Sequence, residues 1–308
     1  MSNHQETPCT PAPWLDEFVK HISSMAMPTF VLSTLHPATT GVTGPSFTDT
    51  PRARTCVYRG LWATPLTNDR NPAPRNPAIF ESDLPVFTTD VRMEKVSEIF
   101  DTAVAAGVGA SGNGSHNTGS GGGGPVEAVY WASEYGTQWR VRGTAWILGP
   151  DIDNEDGPEG GAHRVRSALR GRMMRKAAEN ITDVIKDEVV AEAEKEWSWS
   201  REVAAHFGNL SPGMRGTFRH PPPGRPVAEP IPPGSGLGVG QTVEDLDDPV
   251  ARKNFRVVVI IPTEVDQADV SDPKRPRRWL YTYRSKSYKS TMYGGEVIGE
   301  WGKVEIWP

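Results

Sequence analysis

Cysteine is nearly absent: Cys9 and Cys56 are the two that the 308 residues contain. That excludes a disulfide-built scaffold and any Cys-x-x-Cys zinc or redox pair. Cys56 sits in an apolar strand pattern and reads as a buried thiol. The seven histidines include no His-x-x-x-His pair, so metal-ligand spacing is missing and no metal is expected. Neither a Gly-x-Ser-x-Gly elbow nor a Gly-Lys-Ser/Thr phosphate loop occurs, which leaves hydrolase and P-loop chemistry without a starting point. No apolar run approaches the ~20 residues that span a bilayer. The opening residues MSNHQETPCTPAP carry no basic-then-apolar leader, so a soluble, cytoplasmic protein with no membrane partner is expected.

A basic excess is also lacking. Lys and Arg number 33 against 38 Asp and Glu, a net charge of −5, which argues against a nucleic-acid partner because phosphate neutralisation needs a basic face. The charge is uneven, with 270–290 basic and 151–159 and 179–196 acidic. A basic patch on an acidic chain suits a small anionic ligand better than a polymer. What the chain has in quantity is glycine (31) and proline (28), which favour long loops around a compact β-framework over a helical bundle. Ten tryptophans, several on strand-like runs, supply large apolar surfaces to a barrel or an interface.

Periodicity organises the rest. Residues 1–12 read as a disordered tail; Trp14, Phe18, Ile22 and Met25 then recur at helical spacing behind Pro13, and Pro28 ends that helix. Strand-like runs follow at 29–35, 53–63 and 85–90, the last leading into a helix whose stripe is Val96, Ile99, Phe100, Ala103 and Val104. Residues 107–124 read as a low-complexity flexible loop. Within it Gly107-x-Gly109-x-x-Gly112 spells a dinucleotide fingerprint, but it follows a helix and opens none, so the Rossmann context fails. Residues 126–149 form a hairpin turning at Tyr135-Gly136. Residues 163–207 read as helical, 211–249 as a Pro/Gly-rich loop, and strands return at 254–262, 277–284 and 303–307. Strands at the beginning, middle and end make residues 13–308 one β-barrel domain, with a helical and Pro-rich insertion at about 151–249.

Four short segments, in order, carry a resemblance. Pro51-Arg-Ala-Arg54-Thr-Cys-Val-Tyr-Arg59-Gly60, Phe87-Thr88-Thr89-Asp90-Val-Arg92-Met93-Glu94-Lys95, Gln138-Trp-Arg-Val-Arg-Gly143 and Arg278-Trp-Leu-Tyr281 are similar to the FMN-binding segments of the pyridoxamine 5'-phosphate oxidase-like superfamily. The chain ends Trp301 to Pro308 with the spacing of the oxidase terminus. The resemblance implies a mainly β fold with helices, a split β-barrel of antiparallel Greek-key type, holding FMN at a homodimer interface completed by both protomers. It puts Arg54 on the FMN phosphate and the backbone of Thr55, Cys56, Val57 and Tyr58 against the flavin. Arg59 then replaces the family Lys near ring and substrate. Thr88, Thr89, Arg92 and Lys95 grip the phosphate at a strand end and helix start, where free N–H groups favour a dianion. Gln138 hydrogen-bonds the flavin and Arg278 touches FMN.

Arg54 and Arg59 are five apart, so a regular strand points them to opposite sides and their convergence requires a bulge or twist. Glu94 departs from the family pattern, since a carboxylate beside a phosphate repels unless it turns away. The substrate side departs further. Lys274 and Pro276 stand where the oxidases hold the pyridoxal ring with Arg and His, the family's flavin-contacting Trp is replaced within Val265–Ala268, and only Arg215 remains of a phosphate clamp. The expectation is therefore an FMN-dependent oxidoreductase acting on a small molecule that the sequence does not name, with no catalytic residue assigned. The alternative is a non-catalytic FMN-binding or interaction protein on the same scaffold; a weaker third is a deazaflavin or haem binder.

Overall fold

A strand covered on both faces must be apolar at consecutive positions, and Phe255-Arg-Val-Val-Val-Ile-Ile-Pro262 is such a run. It opens β9 (Phe255–Asp269), which reaches past the expected end at 262. The computed structural model describes residues 10–37, 49–105, 118–176, 191–230, 240–284 and 293–308. The expected tail before Thr10 and residues 107–117 of the Gly/Ser tract lie outside them.

Along one edge β9 pairs antiparallel with β7 (Thr137–Leu148), from Thr137 opposite Asp269 to Leu148 opposite Val257. Its other edge is shared. Phe255–Val259 pair with β5 (Pro85–Asp90), and Glu264–Asp269 pair with β10 (Arg277–Tyr283). From β5 the sheet continues through β2 (Thr50–Leu61), β1 (Thr29–His36) and β6 (Gly121–Ala132) to β7, which returns to β9. The ring is closed, and β9 splits it where its partner changes. Beyond β10 lie β12 (Trp301–Ile306) and β11 (Glu296–Ile298). This is a split β-barrel with antiparallel strands, as the resemblance implies. The 126–149 hairpin is present too, turning through Ser133–Tyr135 and a left-handed Gly136.

Alternate residues of β9 serve two cores. Val258 and Ile260 face the barrel interior with Phe30, Phe87 and Trp139. That interior is plugged by α1 (Leu15–Ser23), whose Phe18 meets Tyr58, Tyr130 and Trp139 edge-on at 5.1–6.1 Å. Val257 and Val259 face a second core with Trp62, Trp199 and Phe207, under α3 (Gly161–Arg170) and α4 (Trp199–Gly208).

Two expectations are corrected. The stretch 163–207 is not continuously helical: α3 ends at Arg170 and β8 (Met173–Arg175) pairs with β4 (Phe80–Ser82). The cause is the buried Arg172, which binds both oxygens of Asp83 at 3.1 and 2.9 Å and donates to the carbonyl of Pro262 at 2.9 Å. Its guanidinium also lies over Tyr283 at 3.9 Å, so the chain must pass between barrel and insertion here instead of coiling. The loop expected through 124 also ends early, because β6 begins at Gly121. A Cβ on Gly124 would lie 2.3 Å from both the Ile99 carbonyl and Thr102 Oγ1 of α2 (Glu94–Ala105). Glycine there permits close packing of strand against helix. Ser120 ties the same stretch down through hydrogen bonds from its N–H and hydroxyl to Asp151, both 2.8 Å.

His206 in the second core is fully enclosed beside Trp62, and burial, aided by Arg59, pushes its pKa from 6.5 down to about 4. The unfolded chain therefore takes up a proton that the folded chain refuses. Stability should fall as pH drops from about 6.5 to about 4, by up to ~3 kcal/mol. Burial raises the pKa of neighbouring Glu202 and works in the opposite direction, so the measurement is a difference. Urea unfolding of wild type and His206→Phe at about pH 7 and about pH 4.5 should give a smaller acid loss for the variant; equal losses would assign the acid sensitivity to other groups.

Candidate functional site

The alternation of β2 sets the floor of the site. Tyr58 and Gly60 turn inward, whereas Thr55, Val57 and Arg59 turn outward, toward the place where β5 runs into α2. There a cavity of about 620 Å³ opens. Its floor is Thr55, Cys56, Val57 and Arg59 of β2, Thr88, Thr89 and Asp90 of β5, then Met93 and Lys95. Its roof comes from far along the chain: Met214, Thr217, Phe218, and the segment from His220 to Pro230. The structure thus gathers Thr55, Cys56, Val57, Arg59, Thr88, Thr89 and Lys95 into one concave site.

Two floor cations have no acidic partner among the described residues. Lys95 is buried, its ammonium 3.3 Å from Thr89 Oγ1, and no carboxylate of the described residues lies within 4.0 Å of it. Burial lowers its pKa. Arg59 is partly buried, its Nε has no hydrogen-bond partner among the described residues, and desolvation likewise disfavours its charge. A buried cation without a counter-ion is costly, and a bound anion relieves that cost. Cys56 is a buried thiol whose pKa burial raises in spite of Lys95 and Arg54, so it stays protonated and unreactive. Glu94 is exposed and does not line the cavity, so its carboxylate does turn away.

Five expected residues lie elsewhere. Arg54 donates to Glu98 at 2.7 Å and to Thr34, because it shares the parity of Cys56 and so faces away from Arg59; the only break in the pairing of β2 with β5, between Tyr58 and Leu61, does not reunite them. Tyr58 is buried among the barrel aromatics. Arg92 grips Asp90 through Nε and Nη2 at 2.8 and 2.6 Å and donates to the carbonyls of His220 (2.9 Å) and Phe218 (3.3 Å). It is a strut between floor and roof.

Gln138 and Arg278 stand in one cross-strand row, with Ala268 between them and the half-exposed Trp131 at its end. Arg278 is paired with Asp266 at 3.0 and 2.7 Å, which Arg140 also contacts. The row belongs to the outer barrel face. An adjacent row, Thr55–Val31–Val129–Arg140–Asp266, runs from the cavity floor across to it. Arg215 is not a clamp remnant: it is buried and donates to the carbonyls of Val243 (2.8 Å) and Leu210 (3.0 Å).

The roof was not foreseen, since a Pro/Gly-rich stretch reads as a loop whatever it covers. The available signal was its composition, five prolines within residues 221–230. Met93 and Asp90, which also line the cavity, fall within the second segment that carries the resemblance.

Residues 11–149 match the family model described as pyridoxamine 5'-phosphate oxidase, FMN-binding domain. A pyridoxamine 5'-phosphate oxidase-related, FMN-binding protein of Nostoc punctiforme is 17% identical with a TM-score of 0.50, the match covering 97% of this chain and 100% of that one. PhzG of Burkholderia lata is 13% identical with a TM-score of 0.36, covering 97% and 94% of the two chains. General Stress Protein 26 of Bacillus anthracis is 12% identical with a TM-score of 0.29, covering 82% and 93%. At such identities the Nostoc likeness speaks to fold alone, and the other two carry no argument. No curated protein matches the sequence. The floor of the cavity lies within the stretch that matches this family model and its roof outside it.

Proposed function

We propose that the protein binds FMN in this cavity and acts as an FMN-dependent oxidoreductase with a substrate side altered from that of pyridoxamine 5'-phosphate oxidase. The observation that carries the reading is the pair of cations without acidic partners, Lys95 and Arg59, on the floor of a cavity of about 620 Å³. That size suits a ligand of cofactor dimensions. FMN would bring hydride chemistry; the protein orients it and sets its surroundings. Lys95, with the Thr88 and Thr89 hydroxyls and the start of α2, is placed to hold the phosphate. Thr55, Val57 and Arg59 lie along the flavin, Arg59 offering a positive charge to an electron-rich ring. The apolar roof, from Met214 to Pro230, excludes water from the side facing β2.

A second copy of the chain completes the site in this reading. Gln138 and Arg278 are too far round the barrel face to reach the cavity of their own protomer, and Val31, Leu35 and Trp131 leave apolar surface exposed along that face. Two copies meeting there cover it, each presenting its Gln138 and Arg278 to the other's cavity. No helix of the described residues is long and apolar enough to cross a membrane, which agrees with a cytoplasmic location.

The protein should copurify with FMN, identified by mass spectrometry of the ligand released on denaturation. FAD alone, or no flavin uptake from excess FMN, would refute the reading. Light scattering of the flavin-loaded protein should give a homodimer; a flavin-loaded monomer contradicts the shared site. Oxygen-dependent formation of pyridoxal 5'-phosphate should be at least about 100-fold slower than with a genuine oxidase, since misplacement by about 1 Å is enough for that. Lys274 and Pro276 lie in an exposed turn, and Arg215 is buried among carbonyls, so none of them forms a phosphate clamp. Comparable turnover would show that other residues compensate.

A further inference from the structure

We propose that His220, on the roof, is a phosphate-binding residue that joins Lys95 in seating the terminal phosphate of the flavin nucleotide. The inference rests on the FMN reading above and assigns a ligand contact to a segment that the family match at 11–149 does not include.

Charge balance gives the first argument. The two arginines expected at the phosphate are already committed, Arg54 to Glu98 and Arg92 to Asp90. Lys95 remains at that end of the floor, and one ammonium leaves a dianion half neutralised. Arg59 sits five residues past Arg54 on β2, where the resemblance places ring and substrate.

Position gives the second. The carbonyl of His220 accepts from Arg92 Nη1 at 2.9 Å, and its N–H donates to the Thr217 carbonyl at 3.2 Å. Arg92 stands just ahead of α2, beside the Asp90 that follows Thr89, so the bond ties His220 to the Lys95 end of the cavity. His220 lines that cavity, and its Nε2 has no hydrogen-bond partner among the described residues. An imidazole edge shielded from water without a partner has a hydrogen bond still to make.

Elimination gives the third. Prolines 221, 222, 223, 226 and 230 have no N–H to offer an anion. Arg225 is paired with Glu229 through Nε at 2.7 Å, and Arg219 is held by Asp248 at 2.6 Å. On the floor Cys56 is neutral, and the Asp90 charge is taken by Arg92. Among the described roof residues, His220 remains as the side chain able to offer a phosphate a hydrogen bond from a ring N–H.

The test compares FMN with riboflavin, which lacks the phosphate, on full-length apoprotein by quenching of flavin fluorescence. Wild type should bind FMN at least about tenfold more tightly than riboflavin. His220→Ala should bring the two affinities closer with riboflavin affinity unchanged, which also shows that the variant is folded. In wild type the His220 imidazole ¹⁵N signals should shift on adding FMN and stay in place with riboflavin. A variant that keeps the wild-type preference overturns the proposal, as does a wild type that binds the two flavins equally. If neither flavin binds wild type, the FMN reading itself fails, a result distinct from loss of phosphate discrimination alone.

Discussion

Everything in this molecule hangs on β9 having two edges to pair. One edge must zip to β7 along nearly its whole length, while the other is divided between β5 and β10. That demand explains the sequence of the strand: its first half is apolar on both faces because it separates two cores, and its second half carries the partly exposed Glu264 and Asp269 and a buried Asp266 that Arg140 and Arg278 pair. Backbone hydrogen bonds buried this deeply must all be made, so register is fixed here before the cavity can be shaped. The floor of the site is a by-product of that register, since β5 is held by β9 on one side and by β2 on the other.

Period-2 alternation and apolar runs made the strands legible, and the hairpin at 126–149 and a single barrel follow from them; that the barrel is split came from the resemblance. The helix of 94–105 was legible from its stripe. What misled was composition. The glycines at 121–124 look like slack, yet they permit contact with α2 that a methyl group would forbid, and composition alone does not distinguish the two uses of glycine. The long helical reading of 163–207 failed at Arg172, whose partners Asp83, Pro262 and Tyr283 are all distant in sequence.

The candidate site was legible where the residue type and its strand parity agree. Thr55, Val57 and Arg59 share one parity and line the cavity together with Cys56; Arg54 is not among the lining residues and pairs with Glu98. Arg92 shows the complementary case: a cation near the right helix terminus, but with a carboxylate two residues away that claims its fork first. Gln138 and Arg278, distant in sequence, occupy one row, on the face that a second copy has to cover if they are to meet a ligand.

The late position of β9 in the chain has a consequence for biosynthesis. When Leu148 has left the ribosome, β5 and β7 each still present an open strand edge, and the segment that joins them begins only at Phe255. At ordinary elongation rates that interval lasts roughly 5–20 s. Throughout it the nascent chain displays two unpaired strand edges, the feature that promotes strand exchange between neighbouring chains. Closure of the barrel therefore waits for the last fifth of the chain to be made.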